Sequence, residues 1–221
     1  MSDMPWRFLR GASKVVVRRR LELEVDGLHH VPAQGPVLIA ARHFHHLYDG
    51  CALLATIPRP AHILVALDWV TNPAGRIVME RACHAALWPV VERPSGLGGA
   101  ATKDAALAFR HAAGESLDLW REGRILLVFP EGYPNIDPGF TPKRDETEFL
   151  PFQRGCIRLV TLAAQEGIQV PIVPAGLSYQ RGEKWRAQLR FGAPMFIEKN
   201  PSQELTAAHA VESQVRRLSE I

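Results

Sequence analysis

The sequence predicts a single layered α/β domain with a largely parallel sheet flanked by helices, preceded by an N-terminal amphipathic helix. Apolar segments of strand length alternate with longer segments of helical periodicity, which is typical of parallel strands joined by helices. Two strand segments, 37–41 and 124–129, are almost continuously apolar, as strands covered on both faces are. The 221 residues are 47% hydrophobic and contain no low-complexity linker, so one sizeable core is expected.

The elements follow one another in a regular order. Leu21–Val25 alternates with period two, and Gly35-Pro36 precedes the apolar strand at 37–41. We expect further strands at 62–67, 86–91, 124–129, 170–177 and 189–191, and helices over about 48–56, 74–82, 100–122, 153–166 and 203–219. Residues 134–151 form a long polar stretch with four prolines, which predicts a functional or disordered loop.

Basic charge is concentrated at the N-terminus. Six basic side chains and one acidic side chain give residues 1–20 a net charge of +5, whereas the whole chain carries +3. Nucleic-acid binding is not expected, because no stripe of basic and aromatic residues continues into the core. Residues 1–20 also carry Met4, Trp6, Phe8, Leu9, Val15, Val16 and Val17, which predicts a basic amphipathic helix on an anionic membrane surface. The alternative is a helix that packs its apolar side against the domain at 21–221.

The sequence gives little further indication of a targeting segment, and its cysteines indicate the redox environment. No apolar run reaches the length of an ordinary membrane span, and the N-terminus lacks the pattern of a secretory signal. Cys51, Cys83 and Cys156 are widely spaced and odd in number, which favours buried thiols in a reducing compartment over a metal site.

A histidine and a carboxylate follow the apolar strand at 37–41. His43 comes directly after the strand, and Asp49 lies where the next helix is expected to begin. A carboxylate at that place can bind one imidazole nitrogen and leave the other to act as a base toward a hydroxyl group. Local turn capping is the alternative explanation of such a pair.

Two further classes of function are alternatives for the same segment. His43, His45 and His46 loosely match the first histidines of a zinc metallohydrolase site, but Leu47 occupies the position where that motif has its aspartate. A non-catalytic membrane-binding module with the same fold is the other alternative.

Four blocks of sequence carry a family resemblance. Gly35–His43 with Asp49 resembles the first block of the 1-acyl-glycerol-3-phosphate acyltransferase (PlsC-like) family of glycerolipid acyltransferases, and Phe129–Gly132 resembles its third block. Phe152–Gly155 resembles the Phe-x-x-Gly that follows the third block, and Val170–Pro174 resembles the fourth. The resemblance implies transfer of a fatty acyl group from acyl-CoA or acyl carrier protein to a lipid hydroxyl. It also implies a peripheral position on the cytoplasmic face of the cell membrane, with no cofactor and no metal. The acceptor it implies is 1-acyl-glycerol-3-phosphate.

The chain departs from the family pattern in two places. The family places four residues between its histidine and aspartate, whereas five separate His43 from Asp49 and three separate His45 from Asp49. Counted from Gly35, His43 takes the family position, so we predict His43 as the catalytic base, with His45 as the alternative. The third block continues as Tyr133-Pro134-Asn135 where the family has Thr-Arg-Ser.

The missing third-block arginine bears on the acceptor. The resemblance gives that arginine to the acceptor phosphate, so a non-phosphate lipid or glycolipid acceptor is the alternative. Lys143 or Arg144 could replace it, or could be solvated loop charges.

The resemblance also implies three substrate-binding residues. The family's second block supplies an arginine after a short strand, and residues 88–93 fit that place, so Arg93 is assigned to the acceptor or its phosphate. The alternative is a surface arginine paired with Glu92. Glu131 is assigned to an acceptor hydroxyl or to orienting the loop. Gly132 is expected to allow close backbone approach.

Overall fold

The computed structural model describes residues 3–93, 103–197 and 203–220, and in them helices and strands alternate as predicted. The helices are α1 (Met4–Arg20), α2 (Tyr48–Thr56), α3 (Pro73–Ala86), α4 (Lys103–Arg121), α5 (Gly155–Gln165) and α6 (Glu204–Ser219). The strands are β1 (Leu21–Asp26), β2 (Val37–Ala41), β3 (Ala61–Ile63), β4 (Val65–Ala66), β5 (Val90–Val91), β6 (Ile125–Val128), β7 (Ile172–Gln180) and β8 (Trp185–Phe191). A short 3₁₀ helix covers Leu28–His30.

The main sheet has the strand order β1-β8-β7-β2-β6-β3. Neighbouring strands run parallel except for the antiparallel pair of β7 and β8. A separate parallel pair joins β4 to β5. The predicted fold class, a layered α/β domain with a largely parallel sheet, is confirmed.

Strand β2 lies inside the sheet, and its surroundings explain why its sequence is continuously apolar. All five of its residues are buried, and they alternate between two core clusters. Ile39 faces the cluster that includes Leu53 of α2, while Leu38 faces the cluster that includes Trp120 of α4 and Ile157 of α5. Both faces of the strand are covered, so a continuous apolar run is required rather than an alternating one.

Some predicted boundaries were wrong for local reasons. The strand expected at 62–67 is two strands, because Leu64 N–H still donates to Leu127 in the main sheet whereas Val65 N–H donates to Pro89. The helix expected at 74–82 continues to Ala86, into the range predicted as a strand. It ends at Leu87, whose φ of 56° is left-handed, and only Val90–Val91 is extended. The predicted start of the helix at 100–102 lies outside the described residues.

One side of the N-terminal helix α1 packs against the domain, as the alternative prediction requires, while its placement on a membrane surface stays a prediction. It contacts α2 and β1, and Trp6 and Val17 pack against the core cluster that includes Ile39. Met4 and Phe8 remain 70% and 76% exposed. In the described part of the chain, no helix is both long enough and apolar enough to cross a membrane.

Candidate active site

The site lies where neighbouring parallel strands end at the same edge of the sheet. Strand β2 leads directly to Arg42 and His43, and its neighbour β6 leads directly to Phe129 and Glu131. The imidazole of His43 stacks on the Phe129 ring with 4.4 Å between ring centroids and 20° between their planes. Carboxyl ends of parallel strands commonly carry the sites of open α/β sheets.

The structure brings His43 and Asp49 into contact. His43 Nδ1 lies 2.9 Å from Asp49 Oδ2, and the Asp49 side chain is fully buried whereas that of His43 is 16% exposed. With Nδ1–H donating to the carboxylate, the lone pair of Nε2 is free to accept a proton. Five intervening residues therefore allow the hydrogen bond that the shorter family spacing implies.

Every oxygen of the Asp49 carboxylate accepts hydrogen bonds. Oδ2 also accepts from the backbone N–H groups of Phe44, at 2.6 Å, and His45, at 2.9 Å. Oδ1 accepts from the hydroxyl of Tyr179, at 2.7 Å. The loop after β2 therefore surrounds the Asp49 carboxylate. This loop is one residue longer than the family spacing, and it still makes these hydrogen bonds.

The His45 ring has a different environment. Its Nδ1 accepts from the backbone N–H groups of Leu47, at 3.2 Å, and Tyr48, at 3.4 Å, at the start of α2. The ring is buried and stacks on Tyr48 with 3.9 Å between centroids. Burial, helped by the neighbouring His46, lowers the pKa of His45 to about 4. The geometry therefore favours His43 over His45 as the base.

The three imidazoles do not converge on a common point. The Nδ1 atoms of His43, His45 and His46 face Asp49, the start of α2, and the carbonyl oxygen of Ile136 respectively. Among residues 3–93, 103–197 and 203–220, no group of three His, Cys, Asp or Glu side chains could hold a metal ion. The geometry gives the zinc hydrolase alternative no support.

Glu131 is placed differently from the substrate-binding prediction. Its side chain is fully buried: Oε1 accepts from the backbone N–H of His43 at 2.8 Å, and Oε2 accepts from Lys143 Nζ at 2.6 Å and from Leu150 N–H at 3.1 Å. An acceptor hydroxyl has no access to these oxygens in this structure. The predicted acceptor contact is corrected to the alternative role, orientation of the surrounding backbone.

Lys143 was predicted to bind phosphate or to be a solvated charge, and both predictions were wrong. Its ammonium group is fully buried and donates to Glu131 Oε2, to the His43 carbonyl oxygen at 2.8 Å and to Asn135 Oδ1 at 3.0 Å. Burial lowers the pKa of Lys143, and the adjacent Glu131 carboxylate opposes that shift. Arg144 is exposed and pairs with Glu148.

The long loop at 134–151 is held by buried polar contacts. Asn135 donates its amide hydrogens to the carbonyl oxygens of Asp145, at 2.9 Å, and Glu148, at 2.8 Å. Arg42 donates to the carbonyl oxygens of Leu177 and Glu146, each at 3.2 Å, so it ties the loop to the end of β2. The loop is therefore fastened to the strands that carry the site.

Arg93 connects the second and third sequence blocks. Its Nε lies 2.9 Å from Asp68 Oδ2, its Nη1 donates to the Gly132 carbonyl oxygen at 2.7 Å, and its guanidinium lies over the Tyr133 ring. The expected alternative pairing with Glu92 was wrong, because Glu92 binds Arg76. Gly132 has a φ of 77°, a left-handed conformation that favours glycine and turns its carbonyl oxygen toward Arg93.

Sequence reasoning missed Arg42 and Tyr179 as buried polar residues of this region, and it missed the burial of Lys143. Tyr179 could have been recognised from the sequence, because it is a polar residue near the end of a strand that is otherwise buried and apolar. Lys143 offered no local signal, because its partners lie elsewhere in the chain.

Comparisons with known proteins bear on the family and on the fold. Residues 22–178 match the family model described as Acyltransferase. The crystal structure of the 1-acyl-sn-glycerophosphate (LPA) acyltransferase PlsC from Thermotoga maritima is similar to this fold, with a TM-score of 0.64 and 16% sequence identity. That match covers 96% of this chain and 77% of the other. No curated protein matches the chain significantly. The family predicted from the four blocks is confirmed.

Proposed function

The chain belongs to the acyltransferase family, and we propose that it transfers a fatty acyl group from a thioester donor to a lipid hydroxyl, with His43 as the base. The observation that carries the proposal is the 2.9 Å contact between His43 Nδ1 and the buried Asp49 carboxylate. An alcohol is a weak nucleophile at neutral pH, so its attack on a thioester needs a positioned base.

The proposed reaction has two steps. His43 Nε2 takes the proton of the acceptor hydroxyl as its oxygen attacks the thioester carbonyl, forming the new C–O bond and a tetrahedral oxyanion. The C–S bond then breaks, and the imidazolium returns the proton to the leaving thiolate. Asp49 holds the ring in the tautomer with hydrogen on Nδ1 and stabilises the imidazolium. Backbone N–H groups near His43 are the proposed partners of the oxyanion.

The proposed acceptor is 1-acyl-glycerol-3-phosphate, and the proposed donor is acyl-CoA or acyl carrier protein. The acceptor proposal is supported by Arg93, which lies beside the third block and supplies a cation there. A non-phosphate lipid or glycolipid acceptor is favoured by two other observations. Asp68 pairs with Arg93, and Asn135 uses its side chain inside the loop, where the family has a block of Thr-Arg-Ser.

We further propose that the protein works on the cytoplasmic face of a membrane, docked through α1. Exposed Met4 and Phe8 accompany the basic side chains of this helix, a combination that suits an anionic lipid surface. The inward contacts of Trp6 and Val17 fix α1 on the domain that carries the site.

Thioester consumption with defined acceptors tests the proposal. Purified protein is incubated with a long-chain acyl-CoA or an acyl carrier protein thioester, and with 1-acyl-glycerol-3-phosphate, its dephosphorylated monoacylglycerol or a glycolipid. We expect thiol release matched by a new diacyl lipid with the phosphate-bearing acceptor. Selective use of an uncharged acceptor supports the alternative acceptor class, and failure of every pair overturns the proposed function.

A further inference from the structure

Both backbone polar groups of His43 are held by one buried ion pair. The N–H of His43 donates to Glu131 Oε1 at 2.8 Å, and its carbonyl oxygen accepts from Lys143 Nζ at 2.8 Å. The two side chains pair at 2.6 Å between Lys143 Nζ and Glu131 Oε2, and neither is accessible to solvent. We call Glu131 and Lys143 the His43 clamp.

The His43 clamp joins three separate parts of the fold. His43 follows β2, Glu131 follows β6, and Lys143 lies in the loop at 134–151. Asn135 supplies the third partner of the ammonium group, and Leu150 N–H supplies a third donor to the Glu131 carboxylate. The charged groups therefore have their hydrogen-bonding capacity satisfied, which a buried ion pair requires.

Stability alone is a poor explanation of such a pair. Removing two charges from water is costly, and well-packed apolar residues often replace buried ion pairs without loss of stability. What apolar residues cannot do is bind the N–H and the carbonyl oxygen of one backbone residue from both sides. That residue is the proposed base, whose ring must stay in place for proton transfer.

We propose that Lys143 is a positioning residue for acyl transfer, acting through Glu131 and the His43 backbone to hold the imidazole toward the acceptor hydroxyl. This inference rests on the proposed function for its kinetic consequence and on the contacts above for its geometry. Lys143 also balances the charge of the buried Glu131 carboxylate. The loop at 134–151 thereby contributes to the site without touching the reacting atoms.

Three variants test the role of the His43 clamp. Lys143→Met keeps an unbranched side chain, one atom shorter, and removes its charge. Glu131→Gln keeps an acceptor for the His43 N–H, and the double variant removes both charges. Lys184→Met is the matched control, because Lys184 is exposed and its ammonium group donates to a backbone oxygen of α1. Circular dichroism establishes that each variant is folded at the assay temperature.

Kinetics provide the first readout. We expect Lys143→Met to lower kcat by about 10- to 100-fold, since a small displacement of a catalytic group has effects of that order. The KM for the acyl donor stays within a factor of about two, because Lys143 contacts no surface open to the donor. Lys184→Met keeps the parent values. A folded Lys143→Met protein with the parent kcat overturns the proposal.

The pH dependence provides a readout that general loosening of the fold does not reproduce. Loss of the Lys143 cation favours the protonated imidazole, so the acidic limb of the rate profile moves to higher pH; loss of the Glu131 anion moves it to lower pH. The double variant returns toward the parent. Asp49, which pairs with His43, and His45, which interacts with it electrostatically, are unchanged in all three variants, as are Arg42 and Tyr179 beside Asp49.

A measurement without substrate separates this inference from the proposed function. The ring-proton resonances of His43, assigned by their loss in His43→Ala, are followed by NMR as pH is varied. Opposite displacements of their titration in Lys143→Met and Glu131→Gln support the His43 clamp even if no acyl transfer is found. Identical titrations in the folded variants overturn it. If Lys143→Met does not fold, Glu131→Gln and the double variant decide by the same criteria.

Discussion

Tyr179 donates its hydroxyl hydrogen to Asp49 Oδ1 at 2.7 Å, although the two residues are 130 positions apart. Tyr179 lies in β7 and Asp49 in the first turn of α2, so the bond joins the centre of the sheet to the helix that carries the carboxylate. Burial, together with the nearby Asp49 charge, raises the pKa of Tyr179 well above its ordinary value. The hydroxyl therefore stays protonated and remains a donor.

Tyr179→Phe removes one donor from a buried carboxylate and leaves the ring. We expect the free energy of unfolding to fall by about 1–3 kcal/mol, the usual cost of leaving a buried polar group short of a partner. We also expect a lower kcat, because Asp49 loses one of the contacts that fix its orientation. Chemical denaturation and steady-state kinetics measure the two effects. Tyr48→Phe, on the helix that carries Asp49, is the control, and equal values for the two variants contradict the assigned role.

His45 predicts a specific dependence of stability on pH. Its pKa is about 4 in the folded protein and about 6.5 for an unperturbed histidine. Between these values the unfolded chain binds more protons, so stability falls as pH drops from 6.5 toward 4. The loss is on the order of 2 kcal/mol, and His45→Asn, which does not titrate, should reduce it.

Denaturant titrations at pH 7.5 and pH 5 measure this effect. His209→Asn is the control, because His209 is exposed on α6. The interpretation of His45 as a neutral acceptor at the start of α2 is contradicted if His45→Asn and His209→Asn lose the same stability over this range.

Arg93 tests the nature of the acceptor. If its guanidinium binds the acceptor phosphate, Arg93→Ala should raise the KM for 1-acyl-glycerol-3-phosphate about tenfold or more, the effect of losing a hydrogen bond to a charged group. The KM for the acyl donor should change little. Arg76→Ala, which breaks the neighbouring pair with Glu92, is the control. If the acceptor KM is unchanged, Arg93 does not bind the acceptor and instead connects Asp68 to Gly132.

The outer face of α1 tests membrane docking. Removing the whole helix would also remove the packed Trp6 and Val17, so a double substitution, Met4→Ser with Phe8→Ser, is the sharper change. We expect it to reduce sedimentation with anionic vesicles, and we expect salt to weaken the binding that remains. Phe140→Ser, at an exposed residue of the loop at 134–151, is the control. Parent-like sedimentation of the double variant would place the contact elsewhere.

The fold and the pair of His43 and Asp49 could be predicted because their signals are local. Buried strands show as apolar runs, and the two residues lie in one short segment after such a strand. The family blocks then located Phe129–Gly132 at the neighbouring strand end. What periodicity could not show was the end of α3 at Leu87, where a left-handed residue stops the helix inside an apolar segment.

The supporting contacts could not be predicted because they are distant in sequence. Lys143 lies 100 positions from the His43 carbonyl oxygen that it binds. A lysine in a proline-rich polar loop has the composition of a solvated charge, and only the folded loop buries it. Glu131 was likewise recognised by its block, but its burial under that loop decides that it holds backbone rather than substrate.

A comparison of His43→Ala with His45→Ala tests whether His43 is the base of an acyl transfer. Thiol release from a long-chain acyl-CoA is measured with the acceptor on which the parent protein is active. We expect His43→Ala to lower the rate by about 10²–10⁴, the usual contribution of a general base. We expect a much smaller loss for His45→Ala in protein shown to be folded. If His43→Ala keeps nearly the parent activity while folded His45→Ala loses it, the assignment of His43 as the base is contradicted.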